Sequence, residues 1–139
     1  MLPRMQVRLF EERDRNELER LARALFPDED DLFGPDVTWF VIDRGDGRLG
    51  GYVEAGTRPY AEGCDTSPVA YVEAWYVDPD LRRQGWGRQL FTAVETWARN
   101  NGHTELASDS LIANHTSIAA HKSLGFREIE RSVHFAKRL

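Results

Sequence analysis

The stretch Arg82-Arg83-Gln84-Gly85-Trp86-Gly87 follows an apolar run, Val69 to Val77, and precedes an amphipathic segment, Arg88 to Asn100. A glycine-broken turn that opens a helix leaves first-turn N–H groups without intrahelical acceptors. It aims them at one point, where the helix dipole also favours negative charge. The turn therefore predicts an anion cradle able to take a pyrophosphate. Arg82, Arg83 and Arg88 add charged donors, and the glycines allow close backbone approach. An ordinary strand-turn-helix connection with a solvated basic edge carries the same local pattern, so the surrounding chain decides between them.

Upstream, alternation predicts strands over Gln6 to Phe10, Thr38 to Asp43, Gly50 to Ala55 and Val69 to Val77. Asp14 with Glu17 reads as the cap of a first helix whose apolar stripe is Leu18, Leu21, Ala22 and Leu25, stopped by Pro27. Arg44-Gly45-Asp46-Gly47 is a hairpin turn, so the sheet starts antiparallel. Downstream, Leu90, Phe91, Val94, Trp97 and Ala98 share one helical face, ended by Gly102. A short strand at Glu105 to Ser108, a helix over Thr116 to Leu124 and strands at Phe126 to Arg131 and Val133 to Lys137 complete the expectation. It is an α/β (α+β) fold with a mixed, mostly antiparallel central sheet flanked by helices.

A chain of 139 residues, 41% of them hydrophobic, suits one domain with one core. It has no apolar run of membrane length and no charged leader with an apolar core, which predicts a soluble cytoplasmic protein with no membrane partner. The single Cys64 has no internal disulfide partner and no metal-ligand spacing, and His103, His115 and His134 show none either, so no metal is expected. The net charge of -5 conceals an asymmetry: residues 1 to 80 hold 18 Asp/Glu against 9 Lys/Arg, whereas residues 81 to 139 hold 5 against 9. Two regions of opposite sign suit a cationic amine on one side and phosphates on the other, and the acidic total argues against nucleic acid. Two solvated surfaces of opposite sign would look the same.

Arg82-x-x-Gly85-x-Gly87, the strand ending Tyr76-Val77-Asp78-Pro79, Asn114, and His121-Lys122-Ser123-Leu124-Gly125-Phe126 together resemble the GNAT family of N-acetyltransferases, with His121 where Tyr is usual. The likeness spans residues 69 to 139. Tyr60 to Val69, Val72-Glu73-Ala74, Ala107 to Ser110 and Ala120 to Arg131 are most similar to aminoglycoside 6'-N-acetyltransferases. None of these four segments is needed for cofactor binding in the wider family, so they speak to the acceptor side. Two departures fall earlier: the stretch between Leu25 and Thr38 is shorter than in those enzymes, and Phe26 stands where they have Trp.

The resemblance implies acetyl-CoA as cofactor, held by Trp75, Tyr76, Val77, Arg82, Arg83, Gln84, Gly85, Trp86, Gly87, Arg88, Asn114 and His121. It also implies a strand that splays from its neighbour at that site. On the acceptor side it implies Phe26, Tyr60, Glu73, Asp109 and Glu130, and a homodimer joined through the C-terminal strands, where Val133 and Phe135 share a face. Transfer of acetyl to an amine needs a group that takes the amine's proton, and a carboxylate in mid-strand suits that work. Glu73 is the first choice of base and Asp109 the second, with a structural ion pair as the alternative use of Glu73. Strict alternation would put Glu73 on the face of Trp75 and Val77, and a bulge is expected near Ala74 or Trp75. His121 is read as a cofactor-side contact rather than an essential acid. Another amine acceptor, or a non-catalytic acyl-CoA-binding domain, remain the competing readings.

Overall fold

In the computed structural model, which describes residues 4–139, five strands pair in chain order: β1 (Gln6–Leu9), β2 (Thr38–Asp43), β3 (Leu49–Arg58), β4 (Val69–Val77) and β5 (Leu106–Ser108). The first three pairings are antiparallel and β4–β5 is parallel. The helices are α1 (Arg15–Leu25), α2 (Trp86–Asn100) and α3 (His115–Ser123). This is the mixed, mostly antiparallel α/β sheet that the alternation predicted. The described residues up to Ser108 form one compact unit and Asp109–Leu139 a second.

In the first unit, α1 buries Leu18, Leu21 and Ala22 against Val41, Leu49, Tyr52 and Ala74. The leucines and Val41 among them contribute roughly 1.5–3 kcal/mol each when fully buried. Helix α2 buries Leu90, Phe91, Val94 and Ala98. The Phe91 ring meets Trp75 of β4 edge-on, with centroids 4.6 Å apart. The helix sits so close that a Cβ on Gly87 would lie 2.7 Å from the Trp75 indole. Gly87 is therefore required by helix-on-sheet packing.

Four expectations are corrected. The Asp14 carboxylate does not cap α1: it accepts from Arg8 at 2.8 and 3.0 Å and from the Glu11 N–H at 2.9 Å. The Arg8 guanidinium outcompetes the cap because it offers two charged donors. Strand β3 runs on to Arg58, beyond the expected end at Ala55, because β4 supplies a ladder partner as far as Val69. Helix α2 begins at Trp86, two residues earlier than the apolar stripe indicates, since the left-handed Gly85 sets its start.

The fourth concerns the C-terminal segment 126–139, which forms neither of the two expected strands. Alternating side chains do not make a strand without a ladder partner, and Val133 and Phe135 stand 75% and 92% exposed. In that second unit, α3 is capped by the Asn114 side chain, which accepts from the Ser117 N–H at 3.0 Å.

Candidate active site

Strand β4 organises the candidate site through one irregularity. Glu54 pairs with Ala74 and the next residue of β3, Ala55, pairs with Val72, so Glu73 has no opposite residue. Glu73 is the extra residue of a β-bulge, one position before the expected place. A bulge redirects a side chain that strict alternation would fix. Trp75 still faces α2, while Ala74 and Tyr76 pack on the α1 side. Glu73 is bonded by Arg58, which lies on the β3 face of Glu54 and Gly56. That face carries Trp39, itself packed into the α1-side cluster. The bulge thus brings Glu73 to the face of Ala74 rather than that of Trp75, correcting the alternation reading.

The Arg58 guanidinium binds Glu73 through two parallel hydrogen bonds, Nε to Oε1 at 2.8 Å and Nη2 to Oε2 at 2.7 Å. It also lies 3.6 Å from the Tyr71 ring centroid. Both partners keep contact with solvent, Arg58 43% and Glu73 28% exposed. Across the bulge stands Glu54, a carboxylate that sequence reasoning missed although it interrupts an apolar strand just as Glu73 does. Glu54 is buried and accepts from the Trp39 indole N–H at 2.8 Å and the Gly34 N–H at 3.4 Å. Burial first, then the charge of Glu73, raises its pKa, against the pull of those two donors.

Through Gly34 the loop between α1 and β2 lies over β3. A Cβ on Gly56 would touch the Val37 side chain at 3.3 Å. Asp28, Glu29, Asp30, Asp31 and Asp36 of this loop are exposed. Phe26 packs partly buried against the core cluster beside Leu32 and Phe33. Tyr60 is exposed on the loop before β4. Glu105 pins that loop by accepting from the Asp65 and Thr66 N–H groups and the Thr66 hydroxyl at 2.6–3.1 Å. Burial and the neighbouring carboxylates push the Cys64 thiol up, which disfavours a nucleophilic thiolate.

The C-terminal end of β4 leads into the candidate anion cradle. The β4–β5 ladder ends at Val72 opposite Ser108, while β4 runs on to Val77, which produces the expected splay along Glu73 to Val77. Gly85 is the N-cap of α2 at φ 88° without a side-chain cap, and the first intrahelical bond is that of Gln89 N–H to the Gly85 carbonyl at 3.1 Å. The N–H groups of Trp86 and Gly87 precede that bond and have no acceptor within the helix. Arg83 adopts φ 61°, and Arg82 braces the turn from Nε to the Val77 carbonyl at 2.8 Å. Gln84 likewise donates to the Asp80 carbonyl at 2.9 Å. Arg82, Arg83, Gln84, Gly85 and Arg88 are exposed. The approach to the turn is fixed by Asp78, buried between Arg20 and Arg44, an anchor joining distant segments that no local motif reveals.

In the second unit Asp109 follows β5 and is exposed, as is Glu130. His121 Nδ1 lies 2.7 Å from the Ser117 carbonyl, which only accepts, so Nδ1 carries a proton. A neutral ring in this tautomer has no proton on Nε2 to give. The His121 and Phe126 rings meet in a T-shaped pair with centroids 5.3 Å apart.

An uncapped helix start at a left-handed glycine, preceded by a strand that outruns its neighbour, fits a pyrophosphate and its extended pantetheine arm. Known proteins resemble this chain in sequence and fold. The profile of the acetyltransferase (GNAT) family matches residues 5–126. An aminoglycoside N(6')-acetyltransferase type 1 of Klebsiella aerogenes is 47% identical over 94 residues, 68% of this chain and 62% of that protein. The Stenotrophomonas maltophilia protein of the same name is 38% identical over 125 residues, 84% of this chain and 82% of its own length. The structure of AAC(6')-Iy in complex with the bisubstrate analogue CoA-S-monomethyl-acetylneamine superposes with a TM-score of 0.87 at 32% identity, covering 98% of this chain and 99% of that one. The chain belongs to the acetyltransferase (GNAT) family, among relatives that are aminoglycoside N(6')-acetyltransferases.

Proposed function

We propose that this N-acetyltransferase transfers acetyl from acetyl-CoA to the 6'-amine of an aminoglycoside, and that Glu73 is the group that takes the amine's proton. The observation that carries the reading is the bulge. It turns a carboxylate out of the ladder, onto the face crossed by the acidic loop and beside the stretch where β4 outruns β5. The acceptor for which the relatives are named supports it, as do the segments around Tyr60, Glu73 and Asp109 that resemble aminoglycoside 6'-N-acetyltransferases.

Acetyl-CoA, when bound, supplies an activated thioester and a thiol leaving group. Gly85, Trp86 and Gly87 would hold its pyrophosphate through backbone N–H groups, with Arg82, Arg83, Gln84 and Arg88 around them. Trp75, Tyr76 and Val77 would hold its arm along the open edge of β4. Glu73 accepts a proton from the substrate ammonium, directly or through water, and leaves a neutral amine able to form the new N–C bond. The carboxylate of Glu54 and the acidic loop add the negative potential that draws a polycation. On the likeness of their segments we assign Asp109, Glu130, Tyr60 and Phe26 to the acceptor, and Asn114 and His121 to the cofactor.

A thiol-release assay with acetyl-CoA and a panel of aminoglycosides tests the reading. Turnover with acceptors bearing a 6'-amine and none with 6'-hydroxyl analogues is expected; no thiol release from any amine would refute it. We also propose a homodimer that covers the exposed Ile129, Val133, Phe135 and Leu139. A monomer in sedimentation at micromolar concentration would refute that. We place the enzyme in the cytoplasm, where its cofactor is made, which cell fractionation checks.

A further inference from the structure

We propose that Arg58 is a built-in competitor of the acceptor: its guanidinium holds Glu73 in the place the substrate ammonium takes, so that acceptor binding exchanges one cation for another. This rests on the reading of Glu73 as the acceptor-side carboxylate. The geometry points to exchange rather than to a fixed structural pair. Arg58 engages both Glu73 oxygens at 2.7 and 2.8 Å, so while the fork is closed an amine meets a carboxylate whose charge is already paired. Both groups reach solvent, where a dissolved cation can compete. Glu73 lies in the bulge, outside the ladder pairs, so its side chain can change partner without breaking a strand pairing.

The surroundings say which cation wins. A guanidinium that leaves Glu73 still has the Tyr71 face, 3.6 Å from its centre, as a resting place. The carboxylate it leaves is one of two, for Glu54 lies across the bulge and feels the charge of Glu73. An acceptor with several ammonium groups can answer Glu73 and the exposed acidic loop together, which a single guanidinium cannot. Arg58 thereby acts as a specificity-determining residue that sets a threshold favouring polycations. A population that must open before binding raises the apparent dissociation constant, and removing the competitor lowers it.

A double-mutant cycle on the full chain tests this, with neamine as the 6'-amine acceptor. Its dissociation constant is measured by calorimetry, and its KM and kcat by thiol release, for Arg58→Met, Glu73→Gln and the double variant. The loss of a half-exposed pair predicts that Arg58→Met tightens neamine binding by about fivefold and raises kcat/KM by the same factor. In the Glu73→Gln background Arg58→Met changes the affinity less than about twofold, because no carboxylate remains to be freed. Arg58→Lys, which keeps the charge and loses the fork, falls between. Equal tightening in both backgrounds would reduce Arg58 to a long-range charge and overturn the proposal. A fall in kcat/KM in Arg58→Met would overturn it too, by making Arg58 a positioning group for the base. CoA affinity reports that each variant is folded. Full turnover in Glu73→Gln would refute the base assignment while leaving the binding cycle readable.

Discussion

The middle of β4 and the turn beyond its end are built by different means. After Val77 the chain makes its cradle from backbone: a left-handed Gly85, an uncapped helix start and a strand running past its neighbour. At Glu73 it builds with side chains, through an extra residue in the ladder and a guanidinium drawn from the end of another strand, 15 positions away in sequence. A backbone site is encoded by a few consecutive residues and serves any ligand with the same phosphates. A site made of paired side chains is encoded across the fold and can be retuned for a different acceptor one residue at a time.

If that division holds, Glu73→Gln removes the acceptor chemistry and leaves the cradle intact. Turnover is expected to fall by roughly two orders of magnitude or more, the scale of general-base catalysis, while calorimetry returns an unchanged CoA affinity. A weakened CoA affinity would show that the two regions are not separable.

A second contrast sets a half-exposed ion pair against a buried one. Arg8→Met leaves Asp14, 7% exposed, without its bidentate partner and costs about 3 kcal/mol in chemical denaturation. Arg58→Met costs under about 1 kcal/mol. Their pH dependence follows with signs worked out. The Arg8 guanidinium lowers the Asp14 pKa, so the stability it contributes is present above the ordinary aspartate value and is lost as pH falls through the lowered one. Glu54 has the opposite sign: its raised pKa means that stability declines as pH rises from the ordinary glutamate value through the raised one. Denaturation across pH should show Arg8→Met without the acid-side loss, and Glu54→Gln without the decline.

The cradle's own test is Gly85→Val. A Cβ there would meet nothing within 4 Å beyond its chain neighbours, so the requirement is the φ of 88°, a conformation that costs a β-branched residue of order 1–3 kcal/mol. CoA affinity measured by calorimetry on the folded variant is expected to drop by about tenfold or more, and an unchanged value would remove the turn from the site. The smallest effect belongs to Tyr52→Phe. Tyr52 is fully buried, and its hydroxyl has no hydrogen-bond partner among the described residues. Deleting that oxygen should be neutral or stabilise the fold by up to about 1 kcal/mol in thermal unfolding.

What was legible in the sequence follows the same division. The turn from Arg82 to Gly87, the strand before it and the apolar stripes of α1 and α2 were readable because each is a contiguous pattern. Glu73 stood out as a charge in an apolar strand, but its face was misread, since a bulge depends on how two strands register and alternation carries no sign of it. Arg58 lies beyond Ala55, where alternation ends the strand, and Glu54 went unremarked. Nothing near either residue shows that the fold places both beside Glu73. Gly87 was identified as a ligand-approach glycine, whereas the Trp75 ring sets its size limit. The C-terminal strands failed for the converse reason: the pattern is present, and a ladder partner is what makes a strand.

The most direct test of the account sets Glu73→Gln beside Asp109→Asn, with kcat and KM for a 6'-amine acceptor measured across pH. The base assignment predicts that Glu73→Gln takes the turnover loss of roughly a hundredfold or more and flattens the acidic limb of the profile, while Asp109→Asn mainly raises KM. The reverse pattern would move the base to Asp109, and full activity in both variants would contradict the acid-base mechanism.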